Sequence, residues 1–186
     1  MEKKLRRITA YIDDALTRKE TILIAIDGKC TSGKTTMAAR LAELYDCNVF
    51  HMDDFFLRPQ QRTPERFAQP GGNVDYERFL EEVLLPLKSG NNFSYRPFDC
   101  KTFTLSEPVS VSAKKVNIIE GSYSMHPYFG EPYDVKILLT VTEDMQRARV
   151  LNRPAAVQER FFTQWLPMEN RYLETYADRL HPDLVL

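Results

Sequence analysis

The sequence predicts an α/β fold in which a mainly parallel sheet lies between two layers of helices. Short apolar runs rich in β-branched residues, typical of strands buried on both faces, alternate with segments of helical hydrophobic period. The length points the same way, because 186 residues with 43% hydrophobic residues suit one medium domain. We therefore expect a single three-layer domain over residues 1–186.

The first part of the chain predicts two helices and two strands. Apolar residues recur every three or four positions over residues 2–18, which predicts an amphipathic helix. The run that follows at 21–26 is continuous and β-branched, as in a buried parallel strand. A second helix is expected over 35–45 and a second strand over 48–52.

After a segment that contains several prolines and glycines, the rest of the chain again alternates between predicted strands and helices. Residues 57–74 contain three prolines and a Gly-Gly pair, which predicts a loop with at most a short helical turn. Such a long segment in a compact domain is usually functional. The remaining predicted elements are a helix over 76–87, an extended or hairpin segment over 93–111, strands at 116–119 and 135–141, helices at 143–151 and 155–176, and a closing strand at 183–186.

Charge and cysteine content argue against a nucleic-acid or membrane partner and against a zinc site or disulfide framework. The chain has 25 basic and 26 acidic residues, so no overall field favours nucleic acid or an anionic membrane. Cys30, Cys47 and Cys100 fit neither a zinc site nor a disulfide framework. The first residues are charged and lead into no apolar run, so we expect a cytoplasmic protein. The oligomeric state stays open, and a homo-oligomer is compatible with the sequence.

A glycine-rich octapeptide between the first strand and the second helix predicts a phosphate-binding loop of the Walker A type. Its two glycines allow the tight turn that points backbone N–H groups at phosphate oxygens, its lysine reaches the β and γ phosphates, and its threonine can ligate magnesium. The predicted nucleotide-binding residues are Gly28, Lys29, Cys30, Thr31, Ser32, Gly33, Lys34, Thr35 and Thr36.

Two carboxylates follow strands and are candidates for phosphoryl transfer. Asp53 follows the second strand and Glu120 ends the strand at 116–119, so both are expected at the carboxyl edge of the sheet, where ligands bind in such folds. The alternative is a solvated strand end or a helix cap for each. Asp54 is expected to be structural, because adjacent side chains on an extended segment point to opposite faces.

In several stretches the chain resembles the uridine kinase-like family of P-loop kinases, in the nucleoside kinase and phosphoribulokinase-like branch. The resemblance implies a three-layer P-loop NTPase fold with a small extended or hairpin insertion. The stretches, in order, are Ile-Asp-Gly through the loop at 26–36, His-Met-Asp-Asp-Phe-Phe at 51–56, Gly-Asn-Val-Asp at 72–75, 95–99, and Ile-Ile-Glu-Gly at 118–121. The segment at 161–172 is similar to uridine kinase-like proteins outside the true uridine kinases.

The resemblance also implies roles for individual residues. Asp53 would be the catalytic carboxylate that faces the accepting hydroxyl, and Glu120 would join Thr35 and Asp53 around magnesium. Asp75 would contact a ribose, with a helix N-cap as the alternative. The residues implied to line a base pocket are Tyr95, Phe98 and Asp99, with hairpin packing as the alternative for the two aromatic rings. True uridine kinases carry a histidine beyond this segment, where the present chain has Phe103.

Four arginines near a helix break are candidates for a lid over the phosphates. A guanidinium can grip the transferring phosphoryl group. Arg153, beside Pro154, is the preferred catalytic arginine, and Arg149 is the second candidate; Arg147 and Arg160 flank them. The residues Trp165, Glu169, Arg171 and Tyr172 are instead expected to form a packed helix with ion pairs.

These observations predict an ATP-dependent kinase that uses magnesium and phosphorylates a small-molecule hydroxyl. An acceptor-site insertion is expected at about 57–112 and a lid at about 147–160. A nucleoside 5′-hydroxyl is the favoured acceptor, and pantothenate, nicotinamide riboside and a sugar-like compound are alternatives. A non-kinase regulatory NTPase is a further alternative, although the chain lacks the Asn-Lys-x-Asp segment that reads guanine in switch GTPases.

Overall fold

Five parallel strands form the central sheet of the computed structural model, which describes all 186 residues. Their order across the sheet is β2-β7-β1-β8-β9, and every neighbouring pair is parallel. The strands of the chain are β1 (Ile22–Gly28), β2 (Cys47–His51), β3 (Phe93–Tyr95), β4 (Phe98–Asp99), β5 (Thr104–Leu105), β6 (Val109–Val111), β7 (Val116–Glu120), β8 (Val135–Leu139) and β9 (Leu184–Val185).

Eight α-helices and several short turns connect the strands. The helices are α1 (Glu2–Arg18), α2 (Lys34–Ala42), α3 (Pro64–Ala68), α4 (Tyr76–Phe79), α5 (Leu85–Ser89), α6 (Glu143–Leu151), α7 (Ala155–Arg160) and α8 (Leu166–Leu180). One π-helical turn, Leu80–Leu84, joins α4 to α5, and another, Phe161–Trp165, joins α7 to α8. Each lies just before a proline, Pro86 or Pro167, whose missing N–H prevents a regular α-helical bond.

The sheet separates two hydrophobic cores. Alternate side chains of β1 point to opposite faces, and all seven of its residues are buried. Ile22, Ile24 and Ile26 pack in a cluster with the apolar faces of α1 and α2. Leu23 and Ala25 belong to the second cluster, which includes residues of α4 and α8. The predicted α/β fold, with a mainly parallel sheet between helices, is therefore confirmed.

Most predicted elements appear, with shifted ends. Strand β1 runs on to Gly28, and α2 ends at Ala42 rather than at 45. The predicted hairpin segment consists of two short antiparallel pairs, β3 with β6 and β4 with β5. The expected extended conformation at Asp53 and Asp54 is wrong, because Met52–Phe55 forms a 3-10 turn. No helix has the length and apolar character needed to cross a membrane.

Candidate functional site

The glycine-rich loop leaves the carboxyl end of β1 in the strand–loop–helix arrangement expected of it. Gly28 has φ of +137°, and a Cβ there would lie 2.1 Å from the carbonyl oxygen of Leu139 on the neighbouring strand. Gly33, the N-cap of α2, has φ of +99°. Both positions thus require the freedom of glycine, the first for close approach and the second for backbone conformation.

The N–H groups at the start of α2 are available to an external acceptor. Those of Gly33, Lys34, Thr35 and Thr36 donate to no acceptor in the protein. They lie at the positive end of the helix dipole, which favours an anion. This part of the loop can therefore bind phosphate oxygens through the backbone.

Lys34 adds a positive charge beside these donors. Its Nζ donates to the carbonyl oxygens of Gly28 at 2.8 Å and Lys29 at 3.0 Å, and to the Ser122 hydroxyl at 3.3 Å. Its contacts are thus neutral groups, and the chain places no carboxylate within ion-pair distance of it. A buried ammonium held only by dipoles has a net charge that an incoming anion can neutralise.

Glu120, at the end of β7, joins the loop to β2. Its Oε1 accepts the Thr35 hydroxyl at 3.0 Å and contacts His51 Nδ1 at 2.6 Å. The hydrogen bond with Glu120 raises the pKa of His51, although burial opposes the shift. Glu120 Oε2 is buried and has no hydrogen-bond partner. Unsatisfied buried carboxylate oxygens are rare, so this atom is suited to a cation.

Asp53 and Asp54 diverge within the 3-10 turn that follows β2. Asp53 is exposed, yet neighbouring groups remove part of its hydration, which raises its pKa; Lys34 opposes that shift and Glu120 adds to it. Asp54 instead accepts the Tyr95 hydroxyl at 3.3 Å through Oδ2. Asp53 is therefore the carboxylate of this pair that a ligand can reach.

Asp27 organises the floor of the site, a role that the sequence did not reveal. It is 1% exposed and accepts four hydrogen bonds. Its donors are the N–H groups of Gly28, Tyr123 and Met125 at 2.6, 3.0 and 2.9 Å and the hydroxyl of Tyr172 at 2.8 Å. Burial raises the pKa of Asp27, and these donors counteract the shift. Asp27 thereby ties the loop to the segment after β7 and to α8.

Glu169 also contacts the loop, so the expectation of a merely packed helix with ion pairs is wrong here. Both of its carboxylate oxygens lie 2.9 Å from the N–H of Cys30, and Oε1 is 2.9 Å from the Ser122 hydroxyl. Burial raises the pKa of Glu169 and the Cys30 N–H opposes the shift. No local motif marks this contact, because 139 residues separate Glu169 from Cys30.

Asp75 is buried in the predicted acceptor-site insertion, and it caps α4. Its Oδ1 accepts the N–H of Arg78 at 3.2 Å, and its side chain is 1% exposed. The guanidinium Nε atoms of Arg58 and Arg78 lie 3.6 and 3.5 Å from Oδ2. The structure thus shows the helix N-cap that was the alternative role of Asp75, while a ribose contact stays a prediction.

The predicted base-pocket residues occupy different environments. Tyr95 is 7% exposed, with its ring against Phe50 and Phe55. Phe98 is also buried, and the guanidinium of Arg62 covers its ring as well as that of Phe103. Asp99 accepts the N–H of Lys101 at 2.7 Å in the turn between β4 and β5, which lowers its pKa.

The candidate lid arginines cluster around the break between α6 and α7. Arg149 donates to the carbonyl oxygen of Thr31 at 2.5 Å, so it reaches the loop directly. Arg153 is exposed at the break; burial raises the pKa of the Cys30 thiol, and the charges of Lys34 and Arg153 oppose that shift. Arg147 and Arg160 lie over the rings of Phe162 and Trp165. Arg149 is thus the arginine of this group that contacts the loop.

Comparison with solved structures identifies the architecture. A possible uridine kinase from Bacillus stearothermophilus matches 97% of this chain and 99% of its own length, with a TM-score of 0.70 and 23% identity. A provisionally named fructose transport system kinase from Silicibacter sp. TM1040 matches 98% of both chains, with a TM-score of 0.76 and 25% identity. The chain has the fold of the uridine kinase-like P-loop kinases.

The resemblance predicted from the sequence is therefore confirmed at the level of fold. No protein-family profile and no curated protein sequence matches the chain. Both of these structures are named as kinases; one name refers to uridine and the other to a fructose transport system.

Proposed function

We propose that this uridine kinase-like P-loop protein is an ATP-dependent kinase that transfers the γ-phosphoryl group to a hydroxyl of a small molecule. The observation that carries the proposal is the meeting of Lys34, the Thr35–Glu120 pair and the reachable carboxylate of Asp53 at one edge of the sheet. A kinase needs a phosphate-binding cation, a metal site and a group that orients the acceptor. The kinase names of the two similar structures support this class.

The residues present fit a magnesium ion. Hard cations take oxygen ligands, and the loop edge offers the Thr35 hydroxyl and the unpartnered Oε2 of Glu120, with Asp53 nearby. Magnesium, when bound, would offset negative charge on the β and γ phosphates. Thr35, Glu120 and Asp53 are the residues that we propose to hold it, directly or through water.

The remaining steps belong to the chain itself. The triphosphate would lie on the loop residues 28–36, with its oxygens on the free N–H groups of α2 and on Lys34. Asp53 would orient the accepting hydroxyl and take its proton as the hydroxyl oxygen bonds to the γ-phosphorus, while the bond from that phosphorus to the oxygen bridging the β and γ phosphates breaks and ADP leaves. Arg153, with Arg149 second, would stabilise the transferring group from a lid over residues 147–160.

The acceptor is proposed to be a nucleoside, phosphorylated at its 5′-hydroxyl. In this proposal the insertion at 57–112 forms the acceptor site, with Asp75 near the ribose and Tyr95, Phe98 and Asp99 near the base. Pantothenate, nicotinamide riboside and sugar-like alcohols are alternatives, because the phosphate machinery does not encode the acceptor. The similar structures name both uridine and fructose transport, which keeps the sugar alternative in view.

A panel of acceptors tests the proposal. The purified protein is incubated with magnesium and ATP labelled at the γ position, and phosphorylated products are separated for each nucleoside, vitamin and sugar. We expect transfer to at least one acceptor and strongest transfer to a nucleoside. Label that appears only in free phosphate, at a rate no acceptor changes, would contradict the kinase assignment and favour the regulatory NTPase.

A further inference from the structure

Helix α8 contacts three parts of the site through residues close together near its beginning. Glu169 contacts the Cys30 N–H in the loop, and Tyr172 donates to Asp27 below it. Arg171 donates to the carbonyl oxygen of Ala68 at 3.1 Å, in the acceptor-side insertion. The same helix continues through the π turn into α7, which carries the lid residue Arg160. A shift of α8 would therefore move groups in both the phosphate loop and the proposed acceptor-site insertion.

Glu169 is the contact within this group that bears on the phosphate loop itself. Its carboxylate is 5% exposed and has no cation within ion-pair distance. The groups that satisfy it are the Cys30 N–H and the Ser122 hydroxyl, each at 2.9 Å. Burying a carboxylate is unfavourable unless its hydrogen bonds are well made, so these two contacts define where the charge can lie.

The Cys30 N–H is thus held by the protein, unlike the free N–H groups at 33–36. A short chain of contacts then extends from Glu169 to the loop lysine, because the Ser122 hydroxyl lies 3.3 Å from Lys34 Nζ and 3.1 Å from the carbonyl oxygen of Gly28. Losing Glu169 would release both the third residue of the loop and the serine that helps to place Lys34.

We propose that Glu169 is a positioning residue of the phosphate loop: it fixes the Cys30 backbone and, through Ser122, the Lys34 ammonium, in the arrangement that accepts a triphosphate. It works through hydrogen-bond geometry and touches no substrate. The proposal rests on the proposed function only for the identity of the ligand, since the geometry of the loop exists without it.

The test compares Glu169→Ala, Glu169→Gln and the exposed control Glu174→Gln on the same helix. A glutamine keeps an oxygen for the Cys30 N–H and an amide donor for Ser122, whereas alanine leaves the Cys30 N–H without a partner and leaves the Ser122 hydroxyl only its contacts with Gly28 and Lys34. Two readouts are used: amide hydrogen exchange of the peptide that contains Cys30, and the dissociation constant of ATP with magnesium. Thermal unfolding of each variant verifies that it is folded.

We expect Glu169→Ala to speed exchange at the Cys30 amide and to weaken ATP binding about tenfold, because buried polar groups lose their partners. Glu169→Gln should restore both values to within about threefold of the wild type, and Glu174→Gln should change neither. The proposal is overturned if the Cys30 amide in a folded Glu169→Ala variant exchanges as in the wild type, or if glutamine restores nothing. A wild-type protein that binds no ATP would contradict the proposed function, while the exchange measurement would still decide the role of Glu169.

Discussion

The phosphate side and the acceptor side of the proposed site are built from different chemical groups. The phosphate side, residues 28–36 with Glu120, uses backbone N–H groups of one contiguous stretch and has a free ammonium and a free carboxylate oxygen. The proposed acceptor side, residues 57–112, uses side chains from separate segments that form ion pairs with one another, although Asn73 Oδ1, Asp75 Oδ2 and Arg78 Nε are buried without a hydrogen-bond partner. Arg66 pairs with Glu77 at 2.6 Å, for example, and Arg78 lies between Asp75 and Glu82.

This difference explains why one side is easier to infer than the other. Backbone donors around a tight turn need only glycine at fixed spacing, so a short sequence pattern predicts them. A pocket made by side chains depends on which charges are already neutralised, and that depends on packing. The phosphate side is suited to an anion of known kind, whereas the acceptor side combines paired charges with isolated unpartnered atoms and so does not specify its ligand by a simple pattern.

The largest effect is expected from Asp53→Asn. Asp53 lies where the phosphate side and the acceptor side meet. Turnover should fall about a hundredfold or more, because a general base is removed, while the dissociation constant of ATP should stay nearly constant. Steady-state kinetics and ATP titration measure the two quantities. Asp54→Asn is the neighbouring control, since its oxygen can still accept the Tyr95 hydroxyl, and it should cost less than about fivefold. An equal loss of binding and turnover in Asp53→Asn would show that Asp53 acts mainly by holding magnesium and not as the base.

Lys34→Ala should damage the phosphate side as a whole. We expect weaker ATP binding and a loss of about a hundredfold in kcat/KM, because the cation that faces the β and γ phosphates is gone. The acceptor KM should change little if the two sides are separate. Lys29→Ala is the matched control, because it removes a lysine side chain from the same loop but keeps the backbone and the carbonyl oxygen that Lys34 contacts. Full activity in Lys34→Ala would refute the phosphate-loop assignment.

Glu120→Gln is expected to act through magnesium. The amide keeps an acceptor for Thr35 but has no negative charge, so about tenfold more magnesium should be needed for half-maximal activity. A magnesium titration at saturating ATP gives this value. If the magnesium requirement stays at the wild-type value, Glu120 holds the loop rather than the ion.

Asp99→Asn tests the acceptor side alone. We expect the acceptor KM to rise about fivefold with no change in the KM for ATP, as for loss of one charged hydrogen-bond acceptor. Tyr95→Phe should be nearly silent by comparison, because its ring is buried in the core and its hydroxyl faces Asp54. A larger effect for Tyr95→Phe than for Asp99→Asn would show that Tyr95 contributes more than Asp99 to acceptor binding.

The last expected effect is on stability and not on activity, and it concerns His126, which packs against Tyr76 in the proposed acceptor side. Its neutral ring stacks on Tyr76 and contacts the carbonyl oxygen of Pro70 at 3.0 Å, and burial lowers its pKa to about 4. An unfolded histidine has a pKa of about 6.5, so the unfolded chain binds more protons between these values. Stability should therefore decline as the pH falls from about 6.5 towards 4, by about 2 kcal/mol at pH 5.

Urea unfolding at pH 7 and pH 5 measures that decline. His126→Asn should have a smaller difference between the two pH values than the wild type, because the titrating group is absent. His181→Asn is the control, since His181 is exposed in a left-handed conformation that asparagine also adopts. An unchanged difference in His126→Asn would show that other groups cause the acid sensitivity.

By itself the sequence determined the α/β fold and the position of the loop. Hydrophobic period and glycine spacing are local, and they decided β1, α2 and the turn between them before any contact was known. The strand ends at Asp53 and Glu120 could also be anticipated, because parallel strands bring their carboxyl ends to one edge. The long segment at 57–74 and the hairpin were predicted only as outlines.

Tertiary structure alone decided which polar groups are already satisfied. Asp27, Ser122 and Glu169 gained their roles from contacts across 96, 94 and 139 residues, which no short pattern encodes. Packing also buried Asp75 and Tyr95 and left Asp53 reachable. The physical reason is that a side chain's chemistry depends on its remaining hydration and unpaired charge, and both are set by neighbours that only the folded chain brings together.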